Sequence, residues 1–199
     1  SAQLLKADTM SNGKFDFSCS CGSFAGHVSA QGQKPGLRIL RHCPDCRAAE
    51  LYHHQPDPVE GVDLFQLAPH AITITTGAEH LHLLRLGPKG LFRWYAGCCG
   101  TPFANTLSKP QLAFAGLRTD LFDDKNALGK VKAQAHVPRP GKPPRSQGMA
   151  RMVYGIFSRM ITARLSGLWR ETPFFDVEAG KPVAEPEVLS KEARAKLYP

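Results

Sequence analysis

Six cysteines in three close pairs constrain this chain more than any other feature of its sequence. The pairs are Cys19-Ser-Cys21, Cys43-Pro-Asp-Cys46 and Cys98-Cys99. A C-x-x-C turn brings two sulfurs to one point and recurs in tetrahedral zinc sites, and side chains two positions apart on a strand share a face. The pairing therefore predicts bound Zn²⁺, while the spacing alone leaves the grouping of the ligands open.

The adjacent pair Cys98-Cys99 is the least regular of the three. Neighbouring side chains on a strand point to opposite faces, but Gly97 and Gly100 flank the pair and permit a distorted turn. Either both sulfurs reach one metal, or one binds metal while the other packs, or each serves a different site.

Length and composition favour a globular domain with reduced thiols. The chain has 199 residues, of which 42% are hydrophobic, so a sizeable core is expected. No apolar run is long enough to predict a transmembrane helix, and the opening SAQLLKADTM lacks the pattern of a signal peptide. We therefore expect a cytoplasmic protein, in which clustered cysteines more often bind metal than form disulfides.

Residues 14–120 predict a mainly β fold. Short β-branched, aromatic or alternating runs are separated by Gly, Pro and Asn, and TTGAEH is expected to form a hairpin loop, CPDCRAAE a short helical turn. The predicted strands are KFDFS (14–18), FAGHV (24–28), LRIL (37–40), VDLFQL (62–67), AITIT (71–75), HLHLLRL (80–86), LFRWY (91–95) and LAFAG (112–116). Residues 1–13 then form an N-terminal extension and 14–128 a zinc-binding β domain.

The C-terminal third differs in charge and period. Residues 129–170 contain nine Lys or Arg and no acidic residue, whereas the rest of the chain carries 16 basic and 17 acidic residues. Proline-rich 129–148 predicts a basic linker or arm, and the apolar period from Met149 onward predicts an amphipathic helix. For 149–199, the pattern favours docking on the β domain or a homodimer through 149–170 over binding to a membrane surface or nucleic acid.

The order of the cysteine motifs resembles the glutathione-dependent formaldehyde-activating enzyme family. The matching segments are CSCGSFAGHVS (19–29), RHCPDCRAA (41–49) and RWYAGCCGTPFANT (93–106), and PFFDVEAGKPVAEPEVLS (173–190) resembles the tail of a bacterial branch. The resemblance implies a β-tent zinc-binding fold with an added C-terminal amphipathic helix. It also implies a structural zinc on a C-x-C plus C-x-x-C set, and a catalytic zinc on a C-x-C-x-x-C loop.

Two positions depart from the family pattern. Arg41 stands where the catalytic loop begins with cysteine, and Ala96 stands where the late C-x-x-C begins. By resemblance, the structural metal ligands are Cys19, Cys21 and Cys99, with Cys98 as a relocated fourth. Cys43 and Cys46 form a depleted second metal site, or join a subset of the other cysteines in one rearranged site.

The resemblance also suggests a chemistry. Zinc with an open position activates a bound thiol or hydroxide, and the implied reaction is carbon–sulfur lyase chemistry on a thiol adduct of glutathione. The candidate catalytic residues are Cys43, Cys46 and His42, and Arg47 is a candidate contact for an anionic substrate. The alternative is a non-catalytic, zinc-stabilised module whose basic helix or arm binds a partner.

Overall fold

The computed structural model describes residues 13–198, and three β-sheets organise this part of the chain. The strands are β1 (Lys14–Ser18), β2 (Ala25–Ser29), β3 (Leu37–Arg41), β4 (Val62–Leu67), β5 (Ile72–Thr76), β6 (Leu81–Arg85), β7 (Phe92–Ala96), β8 (Thr101–Thr106), β9 (Ala115–Arg118), β10 (Ala133–Arg139), β11 (Lys142–Gln147), β12 (Phe175–Asp176), β13 (Lys181–Pro182) and β14 (Pro186–Val188). The α-helices are α1 (Ala30–Gln33), α2 (Pro44–Tyr52), α3 (Met149–Ser166) and α4 (Lys191–Ala195). The expectation of a mainly β protein is confirmed.

The largest sheet has nine strands in the order β11-β10-β3-β4-β9-β8-β7-β6-β14. Its pairs are antiparallel except β10 with β3 and β14 with β6, which run parallel. A second, antiparallel sheet has the order β1-β2-β5, and β12 and β13 form a short ribbon. The predicted extension at 1–13 lies outside the described residues except for Gly13.

An aromatic core joins the first two sheets. Phe17 of β1 and Phe103 of β8 have ring centroids 5.2 Å apart, and Phe24 meets Phe103 edge-on at 4.9 Å. Trp94 and Phe174 extend the same buried cluster. Burying one such side chain stabilises the fold by about 1.5–3 kcal/mol, so this core fixes the small sheet against the large one.

The segment TTGAEH does not form the expected hairpin. Strand β5 pairs with β2 in the small sheet, whereas β6 pairs with β7 in the large one. The chain leaves β5 at Gly77, whose φ of +71° lies in the left-handed region. A Cβ at this position would overlap the Ser23 carbonyl oxygen, so the turn requires glycine. The loop therefore carries the chain from one sheet to the other.

The segment 129–148, for which the sequence predicts a basic linker or arm, contains two paired strands. Its residues form β10 and β11, and Ala133, Gln134 and Ala135 pair with β3 at the core of the large sheet. Ala133 and Ala135 are buried, whereas all six residues of β11 are exposed. The prolines lie on the exposed, outer part of this hairpin, where a strand at a sheet edge tolerates them.

The predicted amphipathic helix is present as α3. It begins after Gly148 and ends before Gly167, both in the left-handed region, and the latter is a common helix C-terminal signal. Met152, Arg159 and Ala163 are buried against the β strands and neighbouring turns. The outer face carries five exposed apolar side chains: Val153, Tyr154, Phe157, Ile161 and Leu165. None of the described helices is long and apolar enough to cross a membrane.

Candidate metal centre

Two tight loops bring four cysteines together. The loop between β1 and β2 carries Cys19 and Cys21, and the loop between β7 and β8 carries Cys98 and Cys99. The four sulfurs all lie within 4.8 Å of one another. The first loop belongs to the small sheet and the second to the large sheet, so the cluster lies where the two sheets meet.

Backbone hydrogen bonds shape both loops. The Gly22 N–H donates to the Cys19 carbonyl at 3.0 Å, and the Cys19 N–H donates to the Phe24 carbonyl at 2.9 Å. In the second loop, the Cys99 and Gly100 N–H groups both donate to the Ala96 carbonyl. This turn folds two adjacent cysteines back over the end of β7, which answers why both sulfurs reach one point.

The sulfur spacing matches a tetrahedral metal. Cys19 to Cys21 is 3.5 Å, Cys19 to Cys98 is 3.8 Å, and Cys21 to Cys98 is 3.4 Å between Sγ atoms. A tetrahedral zinc with Zn–S bonds of about 2.3 Å places its sulfurs about 3.8 Å apart. The cluster therefore fits a metal ion with four thiolate ligands, and such a set leaves no open coordination position.

Neighbouring polar groups support the thiolate forms. Burial opposes ionisation of Cys99, but hydrogen bonds from Ser20 and Thr101 lower its pKa to about 5. Hydrogen bonds from Ser23 lower the pKa of Cys21. Desolvation and the hydrogen bonds with Cys21 and Cys19 raise the pKa of Cys98 to about 12. Because metal binds thiolates, binding at this cluster would release the proton of Cys98.

Thr101 and Ser20 link the two loops beside the sulfurs. The Thr101 Oγ1 lies 3.0 Å from the Cys99 Sγ and 2.8 Å from the Ser20 Oγ, and the Ser20 N–H donates to it at 3.2 Å. Sequence reasoning did not identify these two residues. The only sequence signal that could have indicated them is their closeness to the cysteines. Ser20 lies between Cys19 and Cys21, and Thr101 follows Cys99 by two residues.

The pair Cys43 and Cys46 lies elsewhere, at the start of α2. Both are buried and belong to a core cluster with Leu37, Ile39 and Met152, separate from the cluster that contains Cys19. Among residues 13–198, no third His, Cys, Asp or Glu joins them in a metal-binding group. The structure therefore does not place these two cysteines in one rearranged site with the other four.

Electrostatic contacts distinguish the two thiols of this pair. The hydrogen bond from Cys46 lowers the pKa of Cys43 to about 5, with help from the Arg41 guanidinium and against the effect of burial. The reciprocal hydrogen bond and burial raise the pKa of Cys46. Arg41 Nη2 lies 3.7 Å from the Cys43 Sγ. The Arg41 guanidinium thus faces the Cys43 thiol.

A family model described as "Family of unknown function (DUF6151)" matches residues 11–187. The chain belongs to this family. The match includes both cysteine loops, α2 and the whole of α3. Among solved structures, the DUF6151 chain is similar to a crystal structure of a Rhodobacter sphaeroides protein, with 18% identity, a TM-score of 0.42, and coverage of 60% of this chain and 98% of that one. No curated protein matches this chain.

Two other predicted site residues of this DUF6151 member have partners of their own. The His42 N–H donates to the Ala135 carbonyl at 2.9 Å, and the His42 ring lies against Gly61. The Arg47 guanidinium donates to both carboxylate oxygens of Asp57, at 2.7 and 2.6 Å. The ring of His42 does not line the pocket beside Cys43, where it was predicted to act. The guanidinium of Arg47, predicted to contact an anionic substrate, is already paired with the Asp57 carboxylate.

A buried ion pair was not found from the sequence. Glu50 of α2 is 4% exposed and pairs with Arg118 of β9. Burial raises the pKa of Glu50, and Arg118 partly offsets this rise. Both residues line a cavity of about 510 Å³ that reaches Cys19 and Ser20. An isolated Glu four residues after a cysteine carries no sequence signal, since its partner comes from a distant strand.

Proposed function

We propose that this protein is a zinc-binding protein in which Cys19, Cys21, Cys98 and Cys99 hold one structural zinc ion. The observation that carries the proposal is the convergence of four sulfurs from two sheets at mutual distances suited to a tetrahedral ion. Thiolate ligands select zinc over harder cations such as Mg²⁺ or Ca²⁺. The finer proposal is a β-tent zinc-binding fold with α3 added at the C-terminal side.

The role of this zinc is to stabilise the contact between the sheets. A four-thiolate ion is coordinatively closed, as in structural sites, whereas catalytic zinc keeps a position for water or substrate. Zinc would add bonds between the β1–β2 loop and the β7–β8 loop, next to the aromatic core. The chain's own residues hold the ligands in place, through Thr101 at Cys99 and the Phe24 N–H at Cys19.

Elemental analysis of the reduced, purified chain tests this proposal. We expect one zinc per chain, and we expect Cys99→Ser and Cys98→Ser each to lose it, since three ligands hold zinc more weakly than four. Cys46→Ser is the matched control and should keep the full zinc content, because Cys46 lies outside the cluster. A metal-free wild type contradicts the proposal, and a fully loaded, stable Cys98→Ser protein removes Cys98 from the ligand set.

Carbon–sulfur lyase chemistry on a glutathione adduct is a second candidate. It is favoured by a pocket of about 600 Å³ in which two thiols lie near Arg41 and Arg93. The implied chemistry needs an open zinc site, for which Cys43 and Cys46 supply two donors only. The same elemental analysis separates the two functions: two zinc ions per chain, one of them removed by mild chelation without unfolding, favour the lyase.

A further inference from the structure

Cys43 and Cys46 are arranged so that they can form a disulfide with each other. Cys43 is the N-cap of α2 and Cys46 lies in its first turn, where the Cys46 N–H donates to the Cys43 carbonyl at 3.0 Å. A turn of this kind holds its first and fourth Cα atoms within about 7 Å, and disulfides span about 4.4–6.8 Å between Cα atoms. The turn is therefore compatible with a disulfide between these two residues.

Two arginines set the charge around the pair. Arg41 Nη2 lies 3.7 Å from the Cys43 Sγ, and the buried Arg41 Nε has no hydrogen-bond partner. Arg93 of β7 is 7% exposed and lines the same pocket. A cation beside a thiol and a helix N-terminus both favour the reactive thiolate. The first thiol of this pair thus has the surroundings of a nucleophile.

The pocket beside the pair has room for a small anionic molecule. Its volume is about 600 Å³, within the range of small-molecule sites. Arg41, Arg93 and Asp45 are its charged lining residues, and Asp45 is already engaged by the Tyr198 hydroxyl at 2.5 Å and by Arg194 at 3.4 Å. The two guanidinium groups are therefore the charges that face a ligand.

We propose that Cys43 and Cys46 are a redox-active dithiol that exchanges with low-molecular-weight disulfides bearing carboxylates. The Cys43 thiolate attacks one sulfur of the disulfide, the S–S bond breaks, and one thiolate leaves and takes a proton from water. Cys46 then gives its proton to solvent and attacks the Cys43 sulfur, which expels the second thiolate. The protein dithiol is oxidised by two electrons to a disulfide, and the small disulfide is reduced to two thiols.

This activity is separate from the zinc centre. The dithiol uses neither the ligands of the proposed zinc nor the loops that carry them, since Cys43 and Cys46 belong to a different core cluster. Zinc content and thiol exchange can thus be measured on the same sample, and each can fail without the other.

The test uses the full-length, reduced, zinc-containing protein after removal of excess reductant. The probes are dithiodipropionate, which carries two carboxylates, and cystamine, a disulfide of similar size that carries two ammonium groups. After acid quenching, mass spectrometry should find a Cys43–Cys46 disulfide and a thiol assay should find two released thiols per chain. Charge attraction should make dithiodipropionate react about tenfold or more faster than cystamine.

Three variants sharpen the test. Cys46→Ser should stop at the mixed disulfide on Cys43, and Cys43→Ser should neither form that adduct nor close the intramolecular bond. Arg41→Gln should reduce the preference for the anionic probe while its zinc content stays at the wild-type level. The proposal is overturned if Cys43→Ser/Cys46→Ser is oxidised as fast as wild type, if the wild type shows no preference between the probes, or if the new disulfide maps to the zinc ligands.

Discussion

His53 shows how one half-buried side chain makes stability depend on pH. Its ring lies 4.3 Å from the Tyr95 ring and 5.0 Å from the Tyr52 ring between centroids, and its Nε2 is buried without a partner. Burial, with a smaller contribution from His54, lowers the pKa of His53 to about 4. The folded protein therefore keeps this imidazole neutral at a pH where the unfolded chain protonates it.

We expect stability to fall as the pH decreases from about 6.5 towards 4, because the unfolded state then binds a proton that the folded state does not. Between pH 7.5 and pH 5, this residue should account for a loss of about 2 kcal/mol in the free energy of unfolding. Denaturant titrations at both values should show a smaller loss for His53→Gln than for wild type. His54→Asn is the control: it is exposed with φ 54°, and it should keep most of the wild-type dependence.

At the scale of single residues, the sequence indicates which residues belong to a site better than it indicates where their side chains point. Pair spacing indicated cysteines suited to a metal but left their grouping open, and the grouping of Cys19, Cys21 and Cys99 came from the resemblance to a known family. The structure brings these three together with Cys98 in one cluster that could hold a metal ion. The direction of the Cys98 side chain depends on the turn in which the Ala96 carbonyl accepts hydrogen bonds from Cys99 and Gly100. The sequence does not predict this direction. The partner of Arg47 was also missed, because Asp57 belongs to the loop after α2 and no local pattern links the two.

Among the elements, β2 tolerates no side chain at Gly26. A Cβ there would overlap the Thr73 carbonyl of β5 and the Phe17 ring, directly below the loop that carries Cys19 and Cys21. Gly116 of β9 is also a strand glycine, but a Cβ there would meet its nearest atoms at 3.8 Å, an ordinary contact. These two glycines differ in their surroundings and so form a matched pair.

Gly26→Ala should lower the free energy of unfolding by about 1–3 kcal/mol or more, because the overlap involves backbone that cannot rotate away. Gly116→Ala should be neutral or raise it by up to about 1 kcal/mol, since alanine reduces the entropy of the unfolded chain. Chemical denaturation of both variants measures the difference. Equal effects would show that the spacing between β2 and β5 is not what requires glycine.

Element positions were predicted well where the period was clear and poorly where the partner was distant. The strands β1, β4 and β6 lie at or within one residue of the segments their alternation indicates. The hairpin of β10 and β11 lies where the sequence predicts a linker or arm, because prolines disfavour a strand assignment and the pairing of β10 with β3 involves a distant segment. The assignment of β5 and β6 to different sheets follows from packing rather than from TTGAEH itself. Whether the exposed face of α3 contacts a partner stays a prediction.

At the scale of the whole molecule, the proposed zinc connects two sheets that otherwise meet through the aromatic core. Removal of the metal should therefore loosen the small sheet first, since its outer strand β1 pairs only with β2 among the described strands. The centre of the large sheet is paired on both sides and packs against other elements. Loss of zinc should thus act locally before it acts globally.

Hydrogen exchange followed by mass spectrometry, with and without a zinc chelator under reducing conditions, measures this effect. We expect amides of β1 and β2 to exchange about tenfold or more faster after chelation, while those of β3 and β4 change much less. Cys99→Ser should show the same fast exchange without chelator, and Cys46→Ser should leave the exchange of β1 and β2 at the wild-type rate, because Cys46 packs in a different core cluster. A uniform change across both sheets would instead mean that the metal supports the whole domain as one cooperative unit.

The separation of the ligands along the chain has a kinetic consequence. Cys19 and Cys98 are 79 positions apart, and Cys21 and Cys98 are 77 apart. A nascent or unfolded chain therefore offers zinc only local pairs, and closing a loop of that length costs conformational entropy before the second pair arrives. Tight metal capture can come only after both sheets have assembled. Zinc would therefore bind late in folding, and the rate of zinc uptake during refolding would report the rate at which the two sheets assemble.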